Sequence, residues 1–462
     1  MNNASTPNVT PKHKNKLGYI DPTVAGIDIG ERLIHVSIPD GMGKTYVKEY
    51  GTTTPQLLEI AKDLKKAKVQ TAVMEATGVY WIPLYEILED HFFQSVLVDA
   101  KSVKNVPGRK SDVLDCQWIQ TLFSNGLLRA AFRPPRDRVK LRSFTRTRMA
   151  IAKNRQQALR HIEKALQLMN IKLGTAVSDI AGVSGLNIIR AIVAGERNPV
   201  ILATLRSQRC KKPKEVFVAA LTGNFQDEHL FSLKMALEQY DFTQNQLIDC
   251  DKRILAQIET YPDLTETPPP PRDKDKKSDG KYRAATKPKK NSLTFDARPI
   301  LWKKTGIDMT AIPGVEASTA LLVFAELGGA NVSSWNRVEE FSSWLKLCPG
   351  NNISGGKRRK SKKQPCKNYI SQALRMCAMS AKNSNSAAGA FIRKVCGKSD
   401  KLKGIKAGAH RLARMLYFMC KNGWQYYEKG VEAYEKGHKE RVIKSLQKKA
   451  AQLGFKLDPI AA

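Results

Sequence analysis

The sequence is poor in acidic residues and has no long apolar segment. Asp and Glu total 43 against 77 Lys and Arg, so the formal net charge is +34 over 462 residues. The longest apolar run, around Ala320–Ala325, is far shorter than the 18 or more residues that span a bilayer, and residues 1–16 lack the apolar region of a secretion signal. These absences argue against secretion and membrane spanning. A basic excess of this size favours a polyanion as partner, because neutralised phosphates release condensed counterions.

Cysteine motifs that bind metals are absent as well. The eight cysteines, at positions 116, 210, 250, 348, 366, 377, 396 and 420, include no CxxC pair and no Cys/His spacing typical of zinc. They are expected to be reduced, mostly buried thiols. The hydrophobic fraction of 42% is ordinary for a globular chain, so we expect most of the sequence to fold, into two to four domains.

Composition and periodicity divide the chain into segments. From Val24 onward, short apolar strands and amphipathic helices follow the order βββαβαβ, and a further helix covers SDVLDCQWIQTLF. The proline-rich, highly charged stretch TPPPPRDKDKKSDG cannot bury a core. The predicted segments are a flexible basic arm (1–20), an α/β domain (21–135), a mostly helical region (136–260), a disordered linker (261–299), a basic helical domain (300–453) and a tail (454–462).

Heptad spacing occurs twice in the predicted helical region. Leu159, Ile162, Leu166, Met169 and Leu173 follow each other at alternating intervals of three and four residues. A longer series runs from Leu230 to Ile258 and has only Gln244 and Asp251 as polar members. This spacing is typical of a coiled coil, which would favour oligomers. A helix that packs inside its own domain explains the same spacing equally well.

Four acidic residues stand at positions where carboxylates need an explanation. Asp28 lies inside an apolar strand and Glu75 follows another, while Asp112 and Asp115 share one helix face. Taken singly, an acid on a strand can form a salt bridge, and two acids at the start of a helix can interact favourably with the helix macrodipole. Taken together, four converging carboxylates require positive charge, and Mg²⁺ prefers such oxygen ligands. The pattern predicts a metal site, with Mn²⁺ as an alternative ion.

These motifs resemble those of a known family. An Asp on the first strand (GIDIG), a Glu after the fourth (MEATGVYW) and the Asp-x-x-Asp of KSDVLDCQW resemble the RuvC type of RNase H-like fold. They closely resemble the DEDD transposases of bacterial insertion sequences, now known as bridge-RNA-guided recombinases. The resemblance implies an α/β RNase H-like (RuvC-type) N-terminal domain, a helical coiled-coil middle region and a mainly α C-terminal domain. It also implies a cytoplasmic, nucleoid-associated protein.

The C-terminal domain carries a strongly basic stretch. Between Phe341 and Ser399 there are 13 Lys or Arg and no acid, and seven of these cations lie between Lys357 and Lys367. A charge run is usually a solvated face, but a run without acids in a folding segment favours phosphate contacts. The expected nucleic-acid contacts, in this stretch and in the loop before Asp112, are Lys101, Lys104, Arg109, Lys110, Lys357, Arg358, Arg359, Lys360, Lys362 and Lys363.

Ser354 precedes that basic cluster. Chemistry alone favours a simple Ser-Gly-Gly turn, because a serine hydroxyl is a poor nucleophile without a base, a metal or nearby cations. The resemblance implies otherwise, since DEDD transposases carry a nucleophilic serine in a Ser-Gly motif after a Leu-x-Pro element. Leu347-Cys348-Pro349 and Ser354-Gly355 stand in those places here.

The resemblance further implies a Mg²⁺-dependent recombinase that cuts donor and target DNA through Ser354, with a guide RNA and a dimer that assembles into a tetramer. One alternative is a RuvC-like, structure-selective nuclease that uses metal-activated water. Another is a nonenzymatic nucleic-acid-binding protein whose acids are structural. Only the recombinase would form a covalent adduct between protein and DNA.

Overall fold

The chain forms two compact units, Met1–Arg133 and Pro134–Ala462. The computed structural model describes residues 21, 23–42, 44–76, 78–99, 112–271, 292–348, 353–354, 357–358 and 368–456. The predicted N-terminal arm, residues 1–20, lies outside the described part. No helix among the described residues is long and apolar enough to cross a membrane.

The first unit is built on a five-stranded mixed sheet. Its strands are β1 (Val24–Ile29), β2 (Leu33–Pro39), β3 (Thr45–Gly51), β4 (Thr71–Glu75) and β5 (Gln94–Val98), and its helices are α1 (Thr54–Lys66), α2 (Trp81–Asp90) and α3 (Asp112–Ser124). The strand order is β3-β2-β1-β4-β5. β1, β2 and β3 pair antiparallel, whereas β4 and β5 run parallel to β1. This arrangement fits the predicted RNase H-like α/β domain.

The two faces of the sheet bury alternate residues of each strand. Ala25, Ile27 and Ile29 of β1 pack with the buried side chains of α1 and α2. On the opposite face, Val24 and residues from β4 and β5 pack with Ile119 and Leu122 of α3. Alternation along a strand therefore assigns even-numbered residues of β1 to the α3 face.

Helix α3 lies unusually close to the central strand. A Cβ added to Gly26 would lie 2.7 Å from Gln120 Cβ and closer still to the Cys116 carbonyl oxygen. The buried amide of Gln120 donates to the Val24 carbonyl oxygen and accepts from the Ser37 hydroxyl. The glycine and the amide together fix α3 against β1 and β2.

The described part of the second unit is helical apart from one short hairpin. Its described elements are α4 (Arg136–Leu168), α5 (Leu173–Ala176), α6 (Val183–Val193), α7 (Pro199–Thr204), α8 (Lys214–Leu221), α9 (Asp227–Glu259), α10 (Ala297–Thr305), a 3-10 turn (Met309–Ala311), α11 (Ala317–Leu327), α12 (Val338–Trp344), β6 (Ile353–Ser354), β7 (Lys357–Arg358), α13 (Tyr369–Ala381), α14 (Ala387–Lys398), α15 (Lys401–Asn422) and α16 (Trp424–Gln452).

The two heptad series meet within this one chain. Helices α4 and α9, each 33 residues long, pack along each other, and their apolar seams share one core. The two polar members of the α9 series have partners on α4. Arg155 donates to the Gln244 side-chain oxygen (2.6 Å), and Arg148 pairs with Asp251, which is only 1% exposed. The seam is thus buried between two helices of the same unit, so the spacing by itself does not require a partner chain.

Buried ion pairs join the middle helices to the C-terminal part. Glu326 of α11 is 3% exposed and accepts from Arg142 (2.9 Å) and Arg146 (2.6 Å), both on α4. Such a carboxylate needs both partners, because an unpaired buried charge is costly. These contacts make residues after Pro134 one unit rather than two separated bodies.

The structure differs from the predicted linker at both of its ends. The Trp302 indole N–H donates to the Thr267 carbonyl oxygen (2.8 Å), and Leu293 is buried. Composition misses these contacts because a few anchoring side chains suffice to hold an otherwise polar segment. Residues 272–291, which include most of the charged run, lie outside the described part.

Candidate active site

Two of the predicted carboxylates lie side by side on the sheet. In the parallel pairing of β1 and β4, Ile27 lies opposite Met74, so the next residues along each strand are Asp28 and Glu75. Both belong to the alternating set that faces α3, and both are partly exposed. The parallel strands therefore bring these two acids to one edge of the sheet, as the sequence predicts.

Helix α3 supplies the other acids. Cys116, on the first part of α3, is fully buried, and its carbonyl oxygen approaches β1 at Gly26. Burial, together with the smaller effects of the nearby charges of Asp28 and Asp115, raises the pKa of the Cys116 thiol to about 12. Because the charges of both carboxylates act on the same thiol, Asp115 and Asp28 belong to one electrostatic neighbourhood.

Asp112 begins α3, four residues before Cys116, and its backbone therefore lies on the same helix face one turn away. Its side chain lies outside the described part. The prediction that Asp112 belongs to the carboxylate site is therefore supported only by its position on the helix.

A histidine and a glutamate extend the polar row across the sheet. His35 on β2 lies opposite Asp28, and Glu49 on β3 lies opposite His35. His35 is only 9% exposed, and its Nε2 lies 3.3 Å from a carboxylate oxygen of the more exposed Glu49. Sequence reasoning missed both residues. The signal was available, because alternation in LIHVSI places His35 on the face opposite Ile34 and Val36.

The donor chemistry of this row fits a hard divalent cation, because carboxylate oxygens predominate, with one imidazole and no thiolate available near neutral pH. Asp28, Glu75 and Asp115 are the donors with described side chains, and Asp112 is placed by its backbone. Among the side chains that the structure describes, no group of three or more His, Cys, Asp or Glu residues is close enough to hold a metal ion. The fit of these residues to a divalent cation therefore rests on two observations: the acids share one face of the sheet, and their ligand atoms are carboxylate oxygens.

Ser354 lies in the second unit on a very short hairpin. Strands β6 and β7 pair antiparallel, with Ser354 opposite Lys357 and Ile353 opposite Arg358. The antiparallel pairing of residues 353–354 with 357–358 makes this segment a hairpin, and the two glycines between the strands lie outside the described residues. The orientation of the serine hydroxyl lies outside the described part.

The backbone of two predicted nucleic-acid contacts, Lys357 and Arg358, lies on β7, directly across the hairpin from Ser354. The remaining predicted contacts lie outside the described residues; they are Lys101, Lys104, Arg109, Lys110, Arg359, Lys360, Lys362 and Lys363.

Comparison with known families gives two matches. The family model for DEDD transposases of the IS110 group, described as "Transposase", matches residues 25–171. The model described as "Transposase IS116/IS110/IS902 family" matches residues 309–393. The first match contains all four carboxylates, and the second contains Ser354. A search of the curated proteins found no match.

Proposed function

Because the chain belongs to the IS110 family of DEDD transposases, and is therefore a DNA transposase of an insertion sequence, we propose that it cuts and rejoins DNA with its four carboxylates and Ser354. The observation that carries this proposal is the pairing of Asp28 and Glu75 on adjacent parallel strands, with α3 fixed against the same face. Carboxylates facing phosphate would repel DNA, so this arrangement is useful only where cations compensate the charge.

Transposases of the DEDD type use divalent metal ions, and we propose Mg²⁺ here, with Mn²⁺ as a substitute. Asp28, Glu75, Asp112 and Asp115 would hold it. When bound, such an ion neutralises phosphate charge and stabilises a leaving oxygen. The protein's own contribution is positional: the sheet register sets Asp28 beside Glu75, and Gln120 holds α3 so that its acids stay on that face.

In the proposed reaction, the Ser354 Oγ forms a bond to the scissile phosphorus. The bond from phosphorus to the leaving sugar oxygen breaks, that oxygen takes up a proton, and the serine hydroxyl proton passes to water. The phosphoserine ester conserves the bond energy, so a sugar hydroxyl of another strand can rejoin the DNA without ATP. Lys357 is the backbone partner of Ser354 in the hairpin, so the strand paired with the nucleophile's strand carries a basic residue. The Leu347-Cys348-Pro349 and Ser354-Gly355 motifs support this assignment.

We further propose that a structured noncoding RNA selects the donor and target DNA, and that the carboxylates of one subunit act with Ser354 of another in a tetramer assembled from dimers. The net charge of +34 supports binding of more than one nucleic-acid strand. The resemblance to bridge-RNA-guided recombinases supports the RNA.

The experiment is a denaturing-gel assay for a covalent adduct. The full-length protein is incubated with DNA carrying the element's junction, RNA transcribed from its flanks, and Mg²⁺. We expect an adduct with the wild type and with Ser371→Ala, a serine in the same unit, and none with Ser354→Ala or Asp28→Asn.

Cleavage by Ser354→Ala without any adduct would contradict the serine mechanism and identify a metal-dependent nuclease. Activity of Asp28→Asn equal to wild type would refute the carboxylate site. Omission of the RNA separates the guide proposal from both, because loss of activity without RNA is expected only if RNA directs the reaction.

A further inference from the structure

The C-terminal helix α16 extends away from the core of the second unit. At its start, Trp424 packs edge to face on Trp302, with ring centroids 5.8 Å apart. Farther along, every residue from 436 to 456 with a described side chain is exposed, except for the half-buried Gly437 and Ala450. An isolated helix of this length is marginal in water, since most helix stability comes from tertiary packing. The helix also lies beyond residue 393, where the second family match ends.

One face of this extension carries three cations, whereas its apolar residues lie on the other side together with Lys436 and Lys439. Residues 436–456 contain seven Lys or Arg and one acid, Glu440. Arg441, Lys444 and Lys448 follow each other at intervals of three and four, so they share one face. Val442 and Leu446, 41% and 47% exposed, lie on the other side with Ile443 and Leu453.

The spacing of the cationic face matches a nucleic-acid backbone. From Arg441 to Lys448 the helix rises about 10 Å at 1.5 Å per residue. One strand of duplex DNA places a phosphate about every 3.4 Å along the axis, so the three side chains can reach about three phosphates. Cations near a helix C-terminus also favour the macrodipole, but that effect is confined to the last turn and does not require one face.

We propose that the face formed by Arg441, Lys444 and Lys448 binds the backbone of duplex DNA, outside the site that cuts it. The proposal uses the DNA substrate of a transposase but not the proposed chemistry of Ser354. The occupant is duplex DNA rather than a protein, because the face carries three cations in two turns against one neighbouring acid, Glu440, which lies a turn before Lys444. The contact would position DNA without reading bases.

The test measures how duplex affinity depends on salt, using the full-length protein and a DNA fragment in EDTA so that no cleavage occurs. Lys444→Gln with Lys448→Gln removes two cations from the proposed face. Lys436→Gln with Lys439→Gln removes two cations from the same helix on its other side, and is the matched control. Each phosphate contact contributes about 0.9 to the slope of log affinity against log salt.

We expect the slope to fall by about 1.8 in Lys444→Gln/Lys448→Gln, to stay at the wild-type value in Lys436→Gln/Lys439→Gln, and to return in Lys444→Arg/Lys448→Arg. Equal losses in both Gln pairs would show only an effect of net charge and overturn the proposal, as would no loss in either. A loss seen with an RNA hairpin but not with the DNA duplex would overturn the assignment to DNA. Adduct formation is scored separately, so failure of this contact and failure of the cleavage site are distinguishable.

Discussion

Replacing Gly26 with alanine tests whether the close approach of α3 to β1 builds the carboxylate site. The new Cβ would lie 2.7 Å from Gln120 Cβ and 2.8 Å from Gln120 N, and nearer still to the Cys116 carbonyl oxygen. Non-bonded carbon contacts are optimal at about 3.5–4.0 Å, so the helix must retreat by about 1 Å. Because two of the three nearest atoms are backbone, no rotamer change can relieve the overlap.

The expected cost has two parts. Overpacking of a core typically costs about 1–3 kcal/mol, and a backbone overlap belongs at the upper end. The retreat also stretches the two buried hydrogen bonds of Gln120, each worth about 0.5–1.5 kcal/mol. A displacement of about 1 Å moves Asp112 and Asp115 relative to Asp28, and misplacement of that size can lower activity about 100-fold.

The assay combines DNA cleavage by the full-length protein with native-state hydrogen exchange of the α3 amides. We expect cleavage to fall about 100-fold and α3 amides to exchange faster, while α9 amides in the other unit stay unchanged. Gly397→Ala is the control, because its Cβ meets no atom within 4 Å in helix α14, and we expect wild-type activity. Wild-type exchange in α3 together with wild-type cleavage in Gly26→Ala would refute the account of how this site is built.

Three further predictions concern other parts of the chain. Asp251→Asn leaves the guanidinium of Arg148 without its buried counter-charge and should lower the free energy of unfolding by about 3–5 kcal/mol in urea denaturation, whereas exposed Asp241→Asn should change it by less than about 0.5 kcal/mol. His35→Gln should weaken Mn²⁺ binding by about tenfold in calorimetry without changing the thermal midpoint, because His35 lies opposite Asp28; an unchanged affinity would remove it from the site. Burial and neighbouring cations lower the pKa of His410, so the folded state binds fewer protons than the unfolded state. Stability present above about pH 6.5 should be lost as pH falls, and His410→Gln should flatten that dependence.

Local patterns predicted the first unit well. The strand segments VAGIDIG, LIHVSI and VQTAVM each became strands, because period-two alternation records which side chains a sheet buries. The neighbourhood of Asp28, Glu75 and Asp115 followed from strand order and one helix. His35 was missed because alternation shows which face of the strand it lies on but not that it lies opposite Asp28, which depends on the antiparallel register of β1 and β2.

The second unit shows the opposite case. Heptad spacing correctly predicted buried positions on α9. It could not identify α4 as the partner, because an apolar seam shows which surface of a helix is buried but not which element covers it. The packed ends of the predicted linker depend on single anchors such as Leu293, which composition averages away. The role of Ser354 depends on a family motif, since a Ser-Gly-Gly hairpin has no chemical distinction of its own.

The contacts that α9 makes with arginines of α4 also limit where residues can be inserted into or deleted from these two helices. Arg148 and Arg155 are seven residues apart, as are Gln244 and Asp251, and the two pairs meet in antiparallel order. A slip by one heptad would place Arg148 against Ile258 and leave it buried without an acceptor. Insertions or deletions between the paired positions are therefore tolerated only when both helices change by a whole heptad. The loops and short helices between α4 and α9 carry no such restriction, and length variation among natural relatives should concentrate there.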